Sequence, residues 1–392
     1  MADIHVIIGK NFGDEGKGLA TDMICGRYDK CVVIKHNGGA QAGHTVYYNG
    51  RTFVFHQFSS GSFRGADTFF ADTYYPDLYK LSDEAEAFSA LSGHVPRIFC
   101  APDTPAVYFG DVLTNRLLEN SRGDQRHGSC GMGINEADLR SKAGYRITVF
   151  DFLFKTEKEL FDQLNDIRKN YTLKRLCDLG VGAGEYEDLF YSDEPIYGAV
   201  SVMKQNALKY VKPVYDTKSF LSEYSGVVFE NGQGLLLDSE YKKYAPHLTA
   251  SRTGLYNPAK FTKKYGLKIT GVTYVSRTYV TRHGNGPLPY EFDRGKYGLP
   301  EDETNHTNEW QGEFRYGAHC DFITPVKEDL SLLSYPVNAS LLLTHINETD
   351  GKFVTPNGLC DIDDYLNTID ARSVFSGVYA SGGKGADSVI RF

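Results

Sequence analysis

The run from Ile4 to Gly18, IHVIIGKNFGDEGKG, leaves this chain few ways to fold. Branched apolar residues enter a loop carrying Gly9, Gly13, Gly16 and Gly18, and the following LATDMICGRY has helical spacing. The pattern predicts a strand, a phosphate loop and a helix. Glycines let backbone N–H groups turn toward an anion, the helix N-terminus adds about half a positive charge, and Lys17 adds a mobile full one. A nucleoside triphosphate fits such a loop.

The loop differs from a Walker A sequence. Gly18 stands where a Mg²⁺-binding Ser or Thr is expected after Gly16-Lys17, and the upstream glycine spacing is different. Asp14 and Glu15 lie inside the loop, where carboxylates beside phosphates call for a cation or a titrating base. Taken alone, the same glycines also suit a plain strand-to-helix turn.

A second apolar run, Cys31–Lys35, leads into another glycine-rich loop, His36–Thr45. Two such loops at the ends of neighbouring strands predict an open α/β sheet that holds its ligand at the carboxyl edge. Further strands are expected at Phe53–Phe58, Pro96–Cys100, Gly226–Glu230, Ile269–Val280, Ser340–Thr344 and Val378–Ala380. Helices are expected over 78–93, and as solvated outer helices over 155–170 and 200–212. The polar stretch Asn120–Asn135 reads as a surface loop or a further anion cradle. Residues 300–318, with the only tryptophan, Trp310, read as a lid. No linker or internal repeat divides the chain, so residues 1–392 are expected to form a single large α/β domain with a central, mostly parallel sheet flanked by helices.

Composition narrows the partners. At 41% hydrophobic and 23% charged residues, the chain is globular. Its net charge of −8 gives no overall footprint for nucleic acid. Cys25, Cys31, Cys100, Cys130, Cys177, Cys320 and Cys360 show no CxxC or zinc spacing, which points to a reducing, cytoplasmic setting. No apolar run is long enough to span a membrane.

The order of the loops resembles the adenylosuccinate synthetase family. GDEGKG follows the first strand, GGxxAGHT the second, a GxGI segment lies near 130, FExxQGxLLD near 230 and TRxGxGPxP near 284. The resemblance covers nearly the whole chain and implies a homodimeric ligase. Such an enzyme joins L-aspartate to C6 of a purine monophosphate, using a nucleoside triphosphate and Mg²⁺. It also implies roles. Asp14 is the base at purine N1 and a Mg²⁺ ligand with the Gly43 carbonyl, His44 is the general acid toward O6, Gln233 contacts O6, and Lys17 steadies the phosphates. Asn37, Gln41, Ser129, Cys130, Thr249, Glu313 and Arg315 fall on the purine and aspartate side. An arginine crossing the dimer to the substrate phosphate falls on Arg140, or on Lys142. Gly13, Glu15, Gly16, Gly18, Gly43, Thr45, Asn347, Gly382, Gly383 and Lys384 fall on the triphosphate side.

Three departures from the family pattern share a direction. The Asp that reads guanine in the donor is Asn347 here, and Asn both donates and accepts, which suits adenine and hence ATP. An arginine of the aspartate and ribose loop is Glu313, leaving Arg315 at a matching place. The family's His-Asn is Ala40-Gln41, and its Trp is Phe12. These changes are similar to those of the phage branch, which acts on dGMP rather than IMP toward 2-aminoadenine DNA, although some members of that branch carry Ser where this chain keeps Asp14. An ordinary synthetase using IMP and GTP, or a non-catalytic nucleotide-binding protein, are the alternatives.

Overall fold

A computed structural model describes residues 2–123, 126–302 and 312–392. Trp310 and the rest of residues 303–311 of the expected lid lie outside these residues. The centre of the structure is a ten-stranded sheet. In chain order its strands are β1 (Asp3–Gly9), β2 (Cys31–Lys35), β3 (Asp67–Phe70), β4 (Ile98–Cys100), β5 (Val211–Pro213), β6 (Gly226–Gly234), β7 (Gly271–Arg277), β8 (Asn338–Thr344), β9 (Gly377–Ser381) and β10 (Val389–Arg391). Across the sheet they run β10-β9-β8-β7-β1-β6-β2-β3-β4-β5. Every pairing is parallel except that of the edge strand β10.

Parallel strands covered on both faces read as nearly continuous apolar runs, and VIIG, CVVI and LLLT obey this. Ile4, Val6 and Ile8 of β1 pack on one face with Phe229, Tyr274, Leu341 and Leu343. Ile7, Val33, Val228, Val275 and Leu342 pack on the other, against Leu19, Ala20 and Ile24 of helix α1 (Lys17–Cys25). Each fully buried aliphatic side chain contributes about 1.5–3 kcal/mol, so the strand ends that carry the special loops are anchored firmly.

Three expectations are corrected. β1 and β2 are not neighbours, because β6 pairs with both. The expected strand Ile269–Val280 is two elements. β7 stops at Arg277, and Val280–His283 leaves the main sheet to pair antiparallel with Phe314–Gly317. The expected strand Phe53–Phe58 is instead Arg51–Phe55, hairpinned with His44–Tyr48.

The helix Glu157–Ile167 buries Leu160, Phe161, Leu164 and Ile167 in a second core shared with Glu194–Tyr210 and turns its charges outward. Among the described residues, no helix is long and apolar enough to cross a membrane.

Candidate active site

Past the carboxyl ends of the central strands lies a cleft of about 1110 Å³. The first loop forms its floor. Gly13 (φ 109°), Asp14 (φ 57°) and Gly16 (φ 92°) occupy the left-handed region. Gly16 has a second reason to lack a side chain, since a Cβ there would lie 2.9 Å from Thr344 Cγ2. At Gly18, a Cβ would lie 2.6 Å from the Thr45 carbonyl, so the loop and the hairpin after β2 meet backbone to backbone.

Neighbouring strands engage three successive carbonyls of this loop. Thr281 Oγ1 donates to Gly13 (3.3 Å), Arg277 Nε to Asp14 (2.6 Å) and Thr344 Oγ1 to Glu15 (2.9 Å). The amide groups at the head of α1 are left to serve an incoming anion.

Glu15 is buried, and its Oε1 accepts from both the Asn11 backbone N–H (2.6 Å) and Asn11 Nδ2 (2.7 Å). Burial pushes its carboxyl up to about 7, against the pull of Lys17 and of the Asn11 bonds. Behind it, burial lowers Lys10 to about 8. The Lys10 ammonium donates to Asn11 Oδ1 and the Asp321 carbonyl and sits 4.4 Å from the centre of the Phe322 ring.

The opposite wall is built on β6. Glu230 accepts Lys35 Nζ at 2.7 Å and faces His44 Nδ1 at 2.8 Å, and Ser60 Oγ donates to it as well. Burial alone would raise the Glu230 carboxyl. Lys35 and His44 outweigh burial and hold it well below the usual carboxylate range. Burial lowers His44, partly offset by Glu230. With Nδ1 held by a carboxylate, the imidazole is fixed in orientation, and its Nε2 is buried without a protein partner in the cleft.

Asn37 Nδ2, Gln41 Oε1 and Gln233 Oε1 are among the other buried polar atoms that lack protein partners. Asn37 Oδ1 accepts from the Gly232 amide (2.9 Å), which ties the loop after β2 to β6. Buried polar groups are normally paired, so His44 Nε2, Gln41 Oε1 and Gln233 Oε1, whose residues line the cleft, fit a polar guest.

Asp14, Lys17, His44 and Gln233 thus line one cleft, together with Gly13, Glu15, Gly16, Gly18, Gln41, Gly43 and Thr45. Ser129, Cys130 and Thr249 line it too, with Ser129 Oγ bonded to Asn115 Oδ1 at 2.9 Å, so the polar stretch near 130 is a rim of the cleft. Asn347, Gly382, Gly383 and Lys384 line the remaining end.

Arg140, Lys142, Arg315, Glu313 and Asn37 fall outside the cleft lining. Arg140 is wholly buried. It binds Asp111 through Nε and Nη2 (both 2.9 Å) and donates to the carbonyls of Ala106 and Tyr145. It is a core strut and cannot reach across to another subunit. Lys142 is exposed and pairs with Asp138 one turn away. Arg315 donates to both Glu291 oxygens and to the carbonyls of Gly284 and Gly286, stapling that loop and standing outside the cleft lining. Glu313 is exposed and also outside the lining.

Sequence reading missed Glu230, Lys35, Arg277 and His283. Glu230 sits inside the quoted FExxQG run, and a carboxylate there was its only signal. Arg277 joins the Asp14 carbonyl to Tyr279 (2.8 Å) and Asp302 (2.7 Å), partners its local sequence does not reveal.

Among the described residues, no cluster of three or more His, Cys, Asp or Glu side chains suits a metal cage. Mg²⁺ does not need one. It keeps several waters and takes one or two protein oxygens plus substrate phosphates. The part-exposed Asp14 carboxylate and the Gly43 carbonyl, both at the cleft, fit that pattern.

A family model described as adenylosuccinate synthetase matches residues 6–317. An adenylosuccinate synthetase of Pelodictyon phaeoclathratiforme is 29% identical over 296 residues, 73% of this chain. The chain spans 64% of that relative's length. Two solved structures share the fold. One is a fully ligated adenylosuccinate synthetase from Plasmodium falciparum, with TM-score 0.70, 16% identity and full coverage of both chains. The other is the succinoaminodeoxyadenylate synthetase of cyanophage S-2L, bound to dGMP and dATP, with TM-score 0.62 and 16% identity, covering 100% of this chain and 95% of that one.

Proposed function

The chain belongs to the adenylosuccinate synthetase family, and we propose that it is a C–N ligase joining L-aspartate to C6 of a purine nucleoside monophosphate. The observation that carries this reading is the shared cleft of Asp14, Lys17, His44 and Gln233, with His44 Nε2 and Gln233 Oε1 buried and unpaired.

A 6-oxopurine carbon is a poor electrophile until its oxygen becomes a phosphate ester. Asp14 takes the N1 proton, which moves charge onto O6 and makes it a nucleophile toward the γ-phosphoryl of the donor. His44, set by Glu230, and the Gln233 amide face that oxygen as charge builds there. Lys17 and the amides at the head of α1 hold the donor phosphates. Asp14 and the Gly43 carbonyl would hold Mg²⁺ beside the donor phosphates, where the ion would supply neutralisation of their charge. The amino group of aspartate then attacks C6 and phosphate leaves. The homodimer implied by the family is part of this proposal, without Arg140 as a bridging residue.

Within this class we read the substrates as dGMP and ATP, toward a 2-amino-N6-succinyl purine nucleotide. Asn347 at the donor end supports ATP, and Gln41 in the purine wall supports an altered base pocket. The cyanophage protein, bound to dGMP and dATP, shares the fold. Retention of Asp14, and curated relatives that are adenylosuccinate synthetases, favour IMP with GTP as the second reading.

The deciding assay crosses dGMP and IMP with ATP and GTP in the presence of aspartate and Mg²⁺, and follows succinylated product by mass. Turnover of dGMP with ATP supports the first reading, IMP with GTP the second, and no product in any combination refutes the ligase.

A further inference from the structure

His283 is used by none of the steps above, yet it lines the cleft with its Nε2 3.7 Å from Asp14 Oδ2. It ends the short strand Val280–His283, which continues the chain from β7, and its ring packs on Phe314 with 4.8 Å between centroids. The residue before it, Arg282, also lines the cleft, but its guanidinium lies 4.4 Å from the Phe12 ring and donates to the carbonyls of Pro287 and His247.

The strand order fixes where His283 stands relative to the other groups. β1 is flanked by β6 and then β2 on one side and by β7 on the other. His44 follows β2 and is tied to Glu230 on β6. Gln233 lies on β6, Asp14 follows β1, and His283 follows β7. Across the carboxyl edge of the sheet the groups therefore run His44, Gln233, Asp14, His283. The edge of a 6-oxopurine runs O6, N1, C2. With O6 on His44 and Gln233 and N1 on Asp14, as proposed above, the C2 substituent meets His283.

We propose that His283 is a specificity-determining residue that reads the 2-position of the purine and selects a 2-amino group. Guanine presents N1–H and a 2-amino group as adjacent donors, whereas hypoxanthine presents N1–H beside an apolar C–H. The Asp14 carboxylate and a ring nitrogen of His283 acting as acceptor stand side by side, a pair that matches the adjacent donors of guanine. This inference rests on the orientation of the base in the proposed reaction.

The test compares dGMP with dIMP, which differ only in the 2-amino group. Titration calorimetry on the full chain gives the ratio of their dissociation constants for wild type, His283→Val and His283→Gln. A lost hydrogen bond that leaves a buried acceptor unpaired is worth roughly 5–150-fold. Wild type is expected to favour dGMP by a factor in that range. His283→Val should bring the ratio to within a few-fold of one, and His283→Gln, which keeps an acceptor, should restore part of the preference. A ratio near one in wild type, or a ratio unchanged in His283→Val, overturns the proposal. If His283→Val does not fold, as read by circular dichroism, His283→Asn replaces it, its amide too short to reach, with the same expected collapse.

The turnover assay separates this from the reaction itself. A dGMP preference in binding without ligation refutes the reaction and leaves His283 as the reader of the base. Ligation with no dGMP preference refutes the role of His283 alone.

Discussion

Glu230→Gln keeps the shape of the side chain and removes the charge that Lys35 and His44 share. Lys35 Nζ lies 2.7 Å from that carboxylate, and the side chains of Lys35 and Glu230 are 4% and 0% exposed, so water does not screen the loss. Breaking one partner of such a buried pair costs about 3–5 kcal/mol. At roughly 2.1 cal/mol/K per residue, 392 residues have an unfolding entropy of about 0.8 kcal/mol/K. The melting temperature should therefore fall by about 4–6 °C. Glu230 titrates below its unfolded value of about 4.5, so its contribution to stability is complete above that value and is lost as pH falls. The gap between wild type and variant should accordingly narrow below pH ~4.5.

Catalysis should suffer more than the fold. Removing the carboxylate behind a catalytic imidazole lowers kcat by up to ~10⁴. Calorimetric melting and steady-state turnover check both effects, and the double variant Lys35→Met/Glu230→Gln separates them. It should regain much of the lost stability, since no buried cation is left unpaired, and none of the activity. A Glu230→Gln enzyme with a wild-type melting temperature and wild-type turnover would refute both arms of the reasoning.

Asp14→Ala and His44→Ala should each abolish turnover, by at least ~10², while circular dichroism and melting stay near wild type; residual activity near normal in either removes that residue from the mechanism. Asn347→Asp should move donor preference from ATP toward GTP, read as a ratio of kcat/KM values, and an unchanged ratio takes Asn347 out of donor selection. Burial raises Asp329 from 3.8 to about 7, so the folded protein holds a proton there that the unfolded chain has released, and this lowers stability as pH rises between those values. Asp329→Asn should therefore gain on wild type in denaturant melts as pH is raised through that window, and parallel pH profiles for the two would contradict the shift.

How much of this was legible in the sequence depends on the range of the signal. The strand, loop and helix around GDEGKG are set by residues within twenty positions of one another, and their glycines, apolar run and helical spacing point the same way. The same is true of the loops that reach the cleft after β2, β6 and β9. What failed was pairing over distance. Arg140 looked like a helix-surface charge that a ligand or a partner would use, but Asp111, 29 residues earlier, takes it into the core. Arg315 matched a ligand-binding position, yet Glu291 and two carbonyls occupy its donors. Glu230 read as a strand residue because the lysine and histidine that give it meaning lie near residue 40. Local period predicts which face a residue takes. It does not predict which opposite charge waits there.

The strand order also carries a consequence for synthesis. β1 holds the phosphate loop, yet both of its sheet neighbours, β6 and β7, are encoded after residue 225. Until then the ribosome has released a strand of strongly apolar sequence with two open edges, the condition under which chains pair with the wrong partner. The loop that would bind the nucleotide is therefore among the first parts made and cannot be seated before more than half of the chain has emerged. Ligand added during translation should be unable to stabilise shorter nascent chains, and a chaperone that covers apolar strands should find its longest-lived target in residues 3–9.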